Sequence, residues 1–360
     1  MRTFDVVAIG AGPSGISTAL KCAEQGYNVL IIEREKYGRS KPCGGILPLV
    51  CQDILDYEFG LRIPSDVLSF PQTLGLFYVP PSGRENSGVL RNYKLLNINR
   101  SIFDAWLCSV AIKKKIPILF NTAFLEFREE EKDFKVLVKA GNDILKFKTR
   151  YLIGADGALS NVRRHIFSFS DFDIAGILQE HWKAKGDFSE YFYMFLLSKD
   201  ITPIYGYVIP KNNLFIIGVG VPKDKIRKLQ KCLERFKKVL SDEYNFVPIS
   251  LIKKEIGFIP QGTIVEGKNN VIFVGDAGGF CNPFSGEGIR LAIETGIAAS
   301  SAVVQADTTG EPLTVVYRQN VESIVDFILN VRKFMLNLNS DETRENFIRS
   351  ELSRTSITDH

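Results

Sequence analysis

No apolar run in the 360 residues approaches the length of about 18 that a membrane-spanning helix needs, so no transmembrane segment is expected. No secretory leader is expected either. Asp5 interrupts the first apolar stretch, and the apolar residues after it read as a strand. A cytoplasmic location is the expectation. Histidine is scarce, and His165, His181 and His360 show no HExxH-type spacing, so no metal site is expected. The cysteines at 22, 43, 51, 108, 232 and 281 form no CxxC pair and do not describe a disulfide scaffold in so long a chain. A net charge of only +4, with no base-binding pattern, excludes the footprint of a nucleic-acid binder.

What is present begins with "FDVVAIGAGPSG", a valine-rich run followed by glycines and then the helical pattern "ISTALKCAEQG". "YNVLIIERE" follows as a second buried strand ending in acid, which completes a βαβ unit. Gly10, Gly12 and Gly15 therefore make GxGxxG between a strand and a helix, with Glu33 near the spacing of about 20 residues expected of a ribose-binding acid. Gly10 permits the sharp turn, Gly12 lets a diphosphate approach the backbone, and Gly15 lets helix and sheet close up. Free amides at the helix start then face the phosphates.

Residues 54 to 95 read as loop-rich, with prolines at 64, 71, 80 and 81. "NRSIFDAWLCSVAIKKK" reads as an amphipathic helix with Ile102, Ala105, Trp106, Ser109 and Val110 on one face. Several strands follow, with "EEEKD" as a solvated hairpin tip. "SEYFYMFLLS" and "IYGYVIPKNNLFIIGVGVP" have the aromatic, β-branched character of a larger antiparallel sheet. "KDKIRKLQKCLERFKKVLSDE" is a charged helix, and the chain from 311 onward is helical.

Two later segments repeat the strand, turn and helix logic. "YLIGADGALSNVRR" carries Asp156-Gly157, and "NVIFVGDAGGFCNPFSGEGI" carries Gly275-Asp276 ahead of another helix. Together with GxGxxG and with Arg100 opening "RSIFDAWL", these motifs resemble the FAD-dependent oxidoreductases of the para-hydroxybenzoate hydroxylase type. "KPCGGILP", residues 41 to 48, is similar to the lysine-proline-cysteine-glycine-glycine loop of the geranylgeranyl reductases within that superfamily, and "YGYVIPK" resembles their YxWxFPK motif. Tyr207 stands at the tryptophan position and Ile209 at the phenylalanine position, which bears on the shape of the substrate tunnel.

The resemblance implies an α/β fold with a Rossmann-type FAD-binding domain, an antiparallel-sheet substrate domain and C-terminal helices. The expected boundaries are 1–65, 96–165 and 256–310 for the FAD domain, 66–95 and 166–255 for the substrate domain, and 311–360 for the helical region. FAD is the implied cofactor. Its implied ligands are Gly10, Gly12, Pro13, Ser14, Gly15, Glu33, Arg34, Cys43, Gly44, Gly45, Arg100, Asp156, Gly157, Gly275, Asp276, Pro283, Gly286, Glu287, Gly288 and Ile289. Cys43, Tyr205 and Tyr207 are the implied catalytic residues, with Cys43 and Cys281 both near the flavin. The implied activity is reduction of isoprenoid double bonds, with flavin monooxygenase or halogenase chemistry on a small molecule as the alternative. A non-catalytic flavin protein is a third class. No second GxGxxG is present, so NAD(P)H or ferredoxin would deliver electrons without a domain of its own. A hydrophobic substrate also implies peripheral membrane contact, which the apolar helix near 324 to 338 permits, core packing being the other reading of that helix.

Overall fold

The computed structural model describes residues 1–167 and 172–357; His360 and the end of the expected C-terminal helical region lie outside them. The chain forms two compact units, each of three segments. Residues 1–40, 101–173 and 260–332 make the first, and residues 41–100, 174–259 and 333–360 make the second. Residues 41–65, expected with the FAD domain, cluster with the second unit.

In the first unit, strand Arg2–Ile9 lies parallel between Val29–Ile32 and Asp143–Gly154. Ile31–Ile32 pairs with Ile118–Leu119 on one side, and Asp143–Gly154 pairs with Val271–Phe273 on the other. The central strands are apolar on both faces (Val6, Val7, Ala8, Leu30, Ile31, Leu152 and Ile153 are all buried), as a parallel sheet covered on both sides requires. Helix Pro13–Glu24 returns from the first strand and packs closely on Ile289–Thr309. A Cβ at Gly296 would stand 2.6 Å from the Ser14 carbonyl oxygen, so only glycine admits that approach. The "EEEKD" tip joins antiparallel strands Thr122–Glu130 and Asp133–Ala140, as expected.

The second unit carries a mixed sheet that runs Val247–Pro260, Ile174–Lys185, Leu214–Pro222, Gly206–Lys211, Tyr191–Phe195, Leu68–Val79, Gly88–Ile98 and Ile46–Pro48. Helix Leu229–Tyr244 covers it with Leu233, Phe236, Leu240 and Tyr244. The loop-rich reading of residues 54 to 95 is corrected here, because Leu68–Val79 and Gly88–Ile98 are long paired strands. Their prolines sit where no ladder bond is needed. Pro71 lies in the irregular stretch between Leu68 and Thr73, and Pro80 and Pro81 lie in the connection between the strands.

Candidate functional site

The first unit's glycine loop turns at Gly10 with φ +114, a conformation that side chains resist. A Cβ there would stand 2.6 Å from the Ala155 carbonyl carbon, and one at Gly15 would overlap the Gly10 oxygen. At Gly12 the nearest atom to such a carbon is Arg39 Nη2 at 3.4 Å, which leaves an open approach above the start of helix Pro13–Glu24. Glu33, 5% exposed, anchors this loop: Ala11 N donates to its Oε2 at 2.9 Å and Glu35 N to its Oε1 at 3.0 Å. Oε1 retains a lone pair for a further donor such as a ribose hydroxyl.

Arg39 links Glu33 (3.4 Å) to Asp104 (3.3 Å), and Cys108 Sγ contacts the Ala11 oxygen at 3.6 Å. Arg39, Asp104 and Cys108 were not among the expected site residues. Arg34, which was, points to solvent beside Glu35 with a side chain 63% exposed. The expected face of helix Arg100–Lys113 is corrected too. Phe103, Asp104, Leu107, Cys108 and Ala111 are buried, whereas Ile102 is 40% exposed. The face that reaches the glycine loop is partly polar, so a search for apolar periodicity selects the wrong side. Burial pushes the Cys108 thiol up to about 12, with the Asp104 carboxylate adding to the shift, so this thiol stays protonated at neutral pH.

Asp156 follows the end of strand Asp143–Gly154. Its Oδ2 accepts from Asn161 N at 2.6 Å and Val162 N at 3.2 Å, while its Oδ1 is buried without a partner. Burial holds this carboxyl above its ordinary range despite those bonds. Gly157, at φ +83, faces open space. Arg163 joins this loop to the next, donating to the Ala158 oxygen at 2.7 Å and to the Ala277 oxygen, with its guanidinium 3.5 Å from the Phe172 ring centre.

Gly275, at φ +55, presses against Ser14: a Cβ would stand 3.0 Å from Ser14 Oγ. Asp276 lies beside Gly288, whose Cβ would stand 3.1 Å from Asp276 Oδ1 and 3.5 Å from Cys281 Sγ. Between them a turn closes around Asn282, whose Oδ1 accepts from Phe284 N and Ser285 N; Pro283 is buried and Gly286 takes φ +72. Glu287 pairs with Arg290 at 2.5 Å, and helix Ile289–Thr309 begins at the Gly288 cap. The first unit thus gathers Gly10, Gly12, Pro13, Ser14, Gly15, Glu33, Asp156, Gly157, Gly275, Asp276 and the 283–289 turn around the ends of its parallel strands. An open glycine approach, an orphaned buried carboxylate oxygen and a ribose-spaced acid fit a dinucleotide.

In the second unit "KPCGG" lies against the strand bearing "YGYVIPK". Gly45 N donates to Cys43 Sγ at 3.3 Å, and Ile98 N donates to the Gly45 oxygen at 2.8 Å. Gly45 has φ +69, and a Cβ there would overlap the Ile98 oxygen and stand 2.7 Å from Lys211 Nζ. At Gly44 such a carbon would meet Ile209 Cδ1 at 2.6 Å. Tyr205 and Tyr207 are buried, with rings 6.1 Å apart. Tyr207 donates to Gln179 Oε1 at 2.8 Å, Gln179 Nε2 donates to Glu255 Oε2 at 2.9 Å, and His181 Nε2 meets the same oxygen at 3.0 Å. Burial raises the Tyr207 hydroxyl well above its ordinary value. Gln179, Lys211, His181 and Glu255 were not singled out in the sequence, because nothing in their spacing announces contacts made across strands. Arg100, the last residue of segment 41–100, is buried.

The parallel sheet, its glycine loop and its carboxylates form a dinucleotide site, and the family match identifies the dinucleotide as FAD and the class as the FAD-dependent oxidoreductases. The chain belongs to the FAD binding domain family FAD_binding_3, whose profile matches residues 3–309. Protein CbrA of Escherichia coli strain K12 is 30% identical over 301 residues, which is 82% of this chain and 82% of that protein. Among solved structures, a geranylgeranyl bacteriochlorophyll reductase-like protein from Thermoplasma acidophilum superposes with a TM-score of 0.84 at 21% identity, covering 97% of this chain and 91% of that one. The myxobacterial chondrochloren halogenase CndH superposes at 0.73 with 16% identity, covering 100% of this chain and 92% of its own. At such identities both likenesses speak for the fold. Among the described residues no helix is long and apolar enough to cross a membrane, and no cluster of His, Cys, Asp and Glu is arranged to hold a metal.

Proposed function

We propose that the chain saturates carbon–carbon double bonds of an isoprenoid substrate, as geranylgeranyl reductases do. One observation carries this reading: the Cys43 turn and the "YGYVIPK" strand form one packed cluster through Gly44 on Ile209 and Gly45 on Lys211. These are the two motifs by which the sequence resembles the reductases.

Bound and reduced, FAD supplies a hydride equivalent, and saturating one double bond takes one proton in addition. Gly12, Glu33, Asp156, Asp276 and the start of helix Ile289–Thr309 hold the cofactor. Tyr205 and Tyr207 offer an apolar wall that orients an alkene and excludes water. The Tyr207 hydroxyl gives its hydrogen to Gln179 and keeps it, since burial opposes its ionisation. Cys43, whose Sγ is oriented by the Gly45 amide, is the proton donor assigned to the turn. Tyr207 and Ile209, standing where the reductases have tryptophan and phenylalanine, set a different tunnel outline and hence substrate. Helix Glu322–Asn337, exposing Phe327, Leu329 and Leu336, is the element assigned to peripheral membrane contact.

The test is anaerobic incubation of the reduced, FAD-loaded protein with geranylgeranyl diphosphate and with geranylgeranyl lipids, read by mass spectrometry. A gain of two hydrogens per double bond supports the proposal. Oxygen or halogen incorporation into phenolic substrates, under oxygen and chloride, overturns it in favour of the monooxygenase or halogenase reading. A reduced flavin that turns over neither set points to a non-catalytic protein.

A further inference from the structure

Lys211 closes the "YGYVIPK" strand and does not remain at the surface. Its Nζ donates to the Ile98 oxygen at 2.6 Å and reaches the Gly45 oxygen at 3.4 Å. Ile98 N in turn donates to the same Gly45 oxygen, so one side chain spans both strands of the junction that carries the cysteine turn. Gln179 Nε2 approaches the Cys43 oxygen at 3.5 Å from the other side. Both partners of the lysine are backbone carbonyls, and among the described residues no carboxylate bonds it. Desolvation brings the amine down to about 7, with the nearby Cys43 thiol opposing the shift. The titratable groups coupled to it are the Cys43 thiol and His181, the latter two strands away in the sheet and in contact with Glu255. Glu255 is occupied by His181 (3.0 Å) and Lys253 (2.5 Å).

We infer that Lys211 is a positioning residue for Cys43, whose ammonium form clamps the cysteine turn and whose loss of a proton slackens it, making the turn a pH-responsive element. The two charge-assisted donations to carbonyls are stronger than those a neutral amine offers. Deprotonation, with the proton passing to solvent, weakens them and calls on no other co-reactant. The inference concerns the turn itself and holds whichever substrate the enzyme takes.

Cys43 is the one cysteine among the described residues that is not buried, so a thiol reagent on the folded, FAD-loaded protein reports on it selectively. The experiment measures iodoacetamide modification rates from pH 5.5 to 9, with the alkylated peptide located by mass spectrometry. In the unaltered protein the rate should show two inflections, one from the thiol and one from Lys211. Lys211→Met should lose the second and react roughly tenfold faster at pH 6, since it removes both donations, of which the shorter, to the Ile98 oxygen, carries most of the effect. Lys211→Arg, charged throughout, should remain slow and also lack that inflection. Hydrogen exchange at the Ile98 amide, corrected for its intrinsic pH dependence, should rise between pH 6 and 8 in the unaltered protein only. A single thiol inflection in the unaltered protein, with unchanged exchange at Ile98, overturns the inference even if Lys211→Met fails to fold. A Lys211→Met protein that folds and reacts at the unaltered rate across the range also overturns it.

Discussion

Gly218 lies opposite Tyr207 in the pair formed by strands Gly206–Lys211 and Leu214–Pro222, and the tyrosine ring lies across it. An alanine methyl at 218 would stand 2.6 Å from Tyr207 Cε1 and closer still to Cζ and Oη. Strand conformation alone would favour Gly218→Ala by about 0.5–1 kcal/mol, since alanine loses less backbone freedom on folding. Two effects oppose it. Overpacking a filled site costs about 1–3 kcal/mol. Displacing the ring also breaks the Tyr207–Gln179 bond, and leaving a buried amide oxygen unpaired costs about 1–3 kcal/mol. The clash wins, and a net loss of about 2–4 kcal/mol is expected. Guanidinium unfolding of the FAD-loaded protein reads this directly. The decisive comparison is a double-mutant cycle. With Tyr207→Ala already made, itself a loss of about 3–5 kcal/mol, the methyl at 218 occupies vacated space and should cost under about 0.5 kcal/mol. Equal costs in the two backgrounds would show that the ring does not depend on Gly218, and the description of the aromatic wall would fall.

Gly12→Val places a branched side chain where the cofactor's diphosphate approaches, so the folded variant should lose most of its flavin absorbance; full retention at 450 nm would refute that assignment. Cys43→Ala should keep FAD bound yet slow double-bond reduction or change how completely the substrate is saturated, as product mass spectra will show, whereas unaltered rate and products would leave the cysteine without a role. Asp156→Asn tests a pH dependence. Its carboxyl titrates higher folded than unfolded because burial disfavours the charge, so the folded state binds the proton more tightly, and stability is lost as pH rises from the unfolded value of 3.8 through the raised one. The asparagine variant should show a shallower decline in urea midpoint over that window, and parallel curves would contradict the assigned cause.

The glycine loop and its acid were legible because each depends on neighbours in sequence: a strand, a turn that only glycine fits and a helix start follow one another within Arg2–Glu24. The same holds for the "EEEKD" hairpin and for helix Leu229–Tyr244, whose apolar residues recur at helical spacing. What escaped was set by partners far along the chain. Arg39 is defined by Asp104, Lys211 by Ile98, and Tyr207 by Gln179. The strands at 68–79 and 88–98 were hidden because proline density suggests loops, while a sheet tolerates proline wherever its ladder is interrupted. Arg34 and Arg39 illustrate the limit: two arginines near one acid look alike in sequence, and only the path of the backbone decides which one turns inward.

The interleaving of the two units has a consequence for how the protein is made. Strand Leu68–Val79 pairs with Gly88–Ile98 soon after leaving the ribosome, but its other neighbour, Tyr191–Phe195, is translated roughly 110 residues later. At about 5–20 residues per second that leaves an unpaired edge open for roughly 5–20 s. Val271–Phe273, which adjoins Asp143–Gly154 in the first unit, arrives later still. Nascent chains stalled between residues 100 and 190 should therefore be the ones that recruit chaperones, and slowing elongation there should lower the yield of native protein more than slowing it after residue 280.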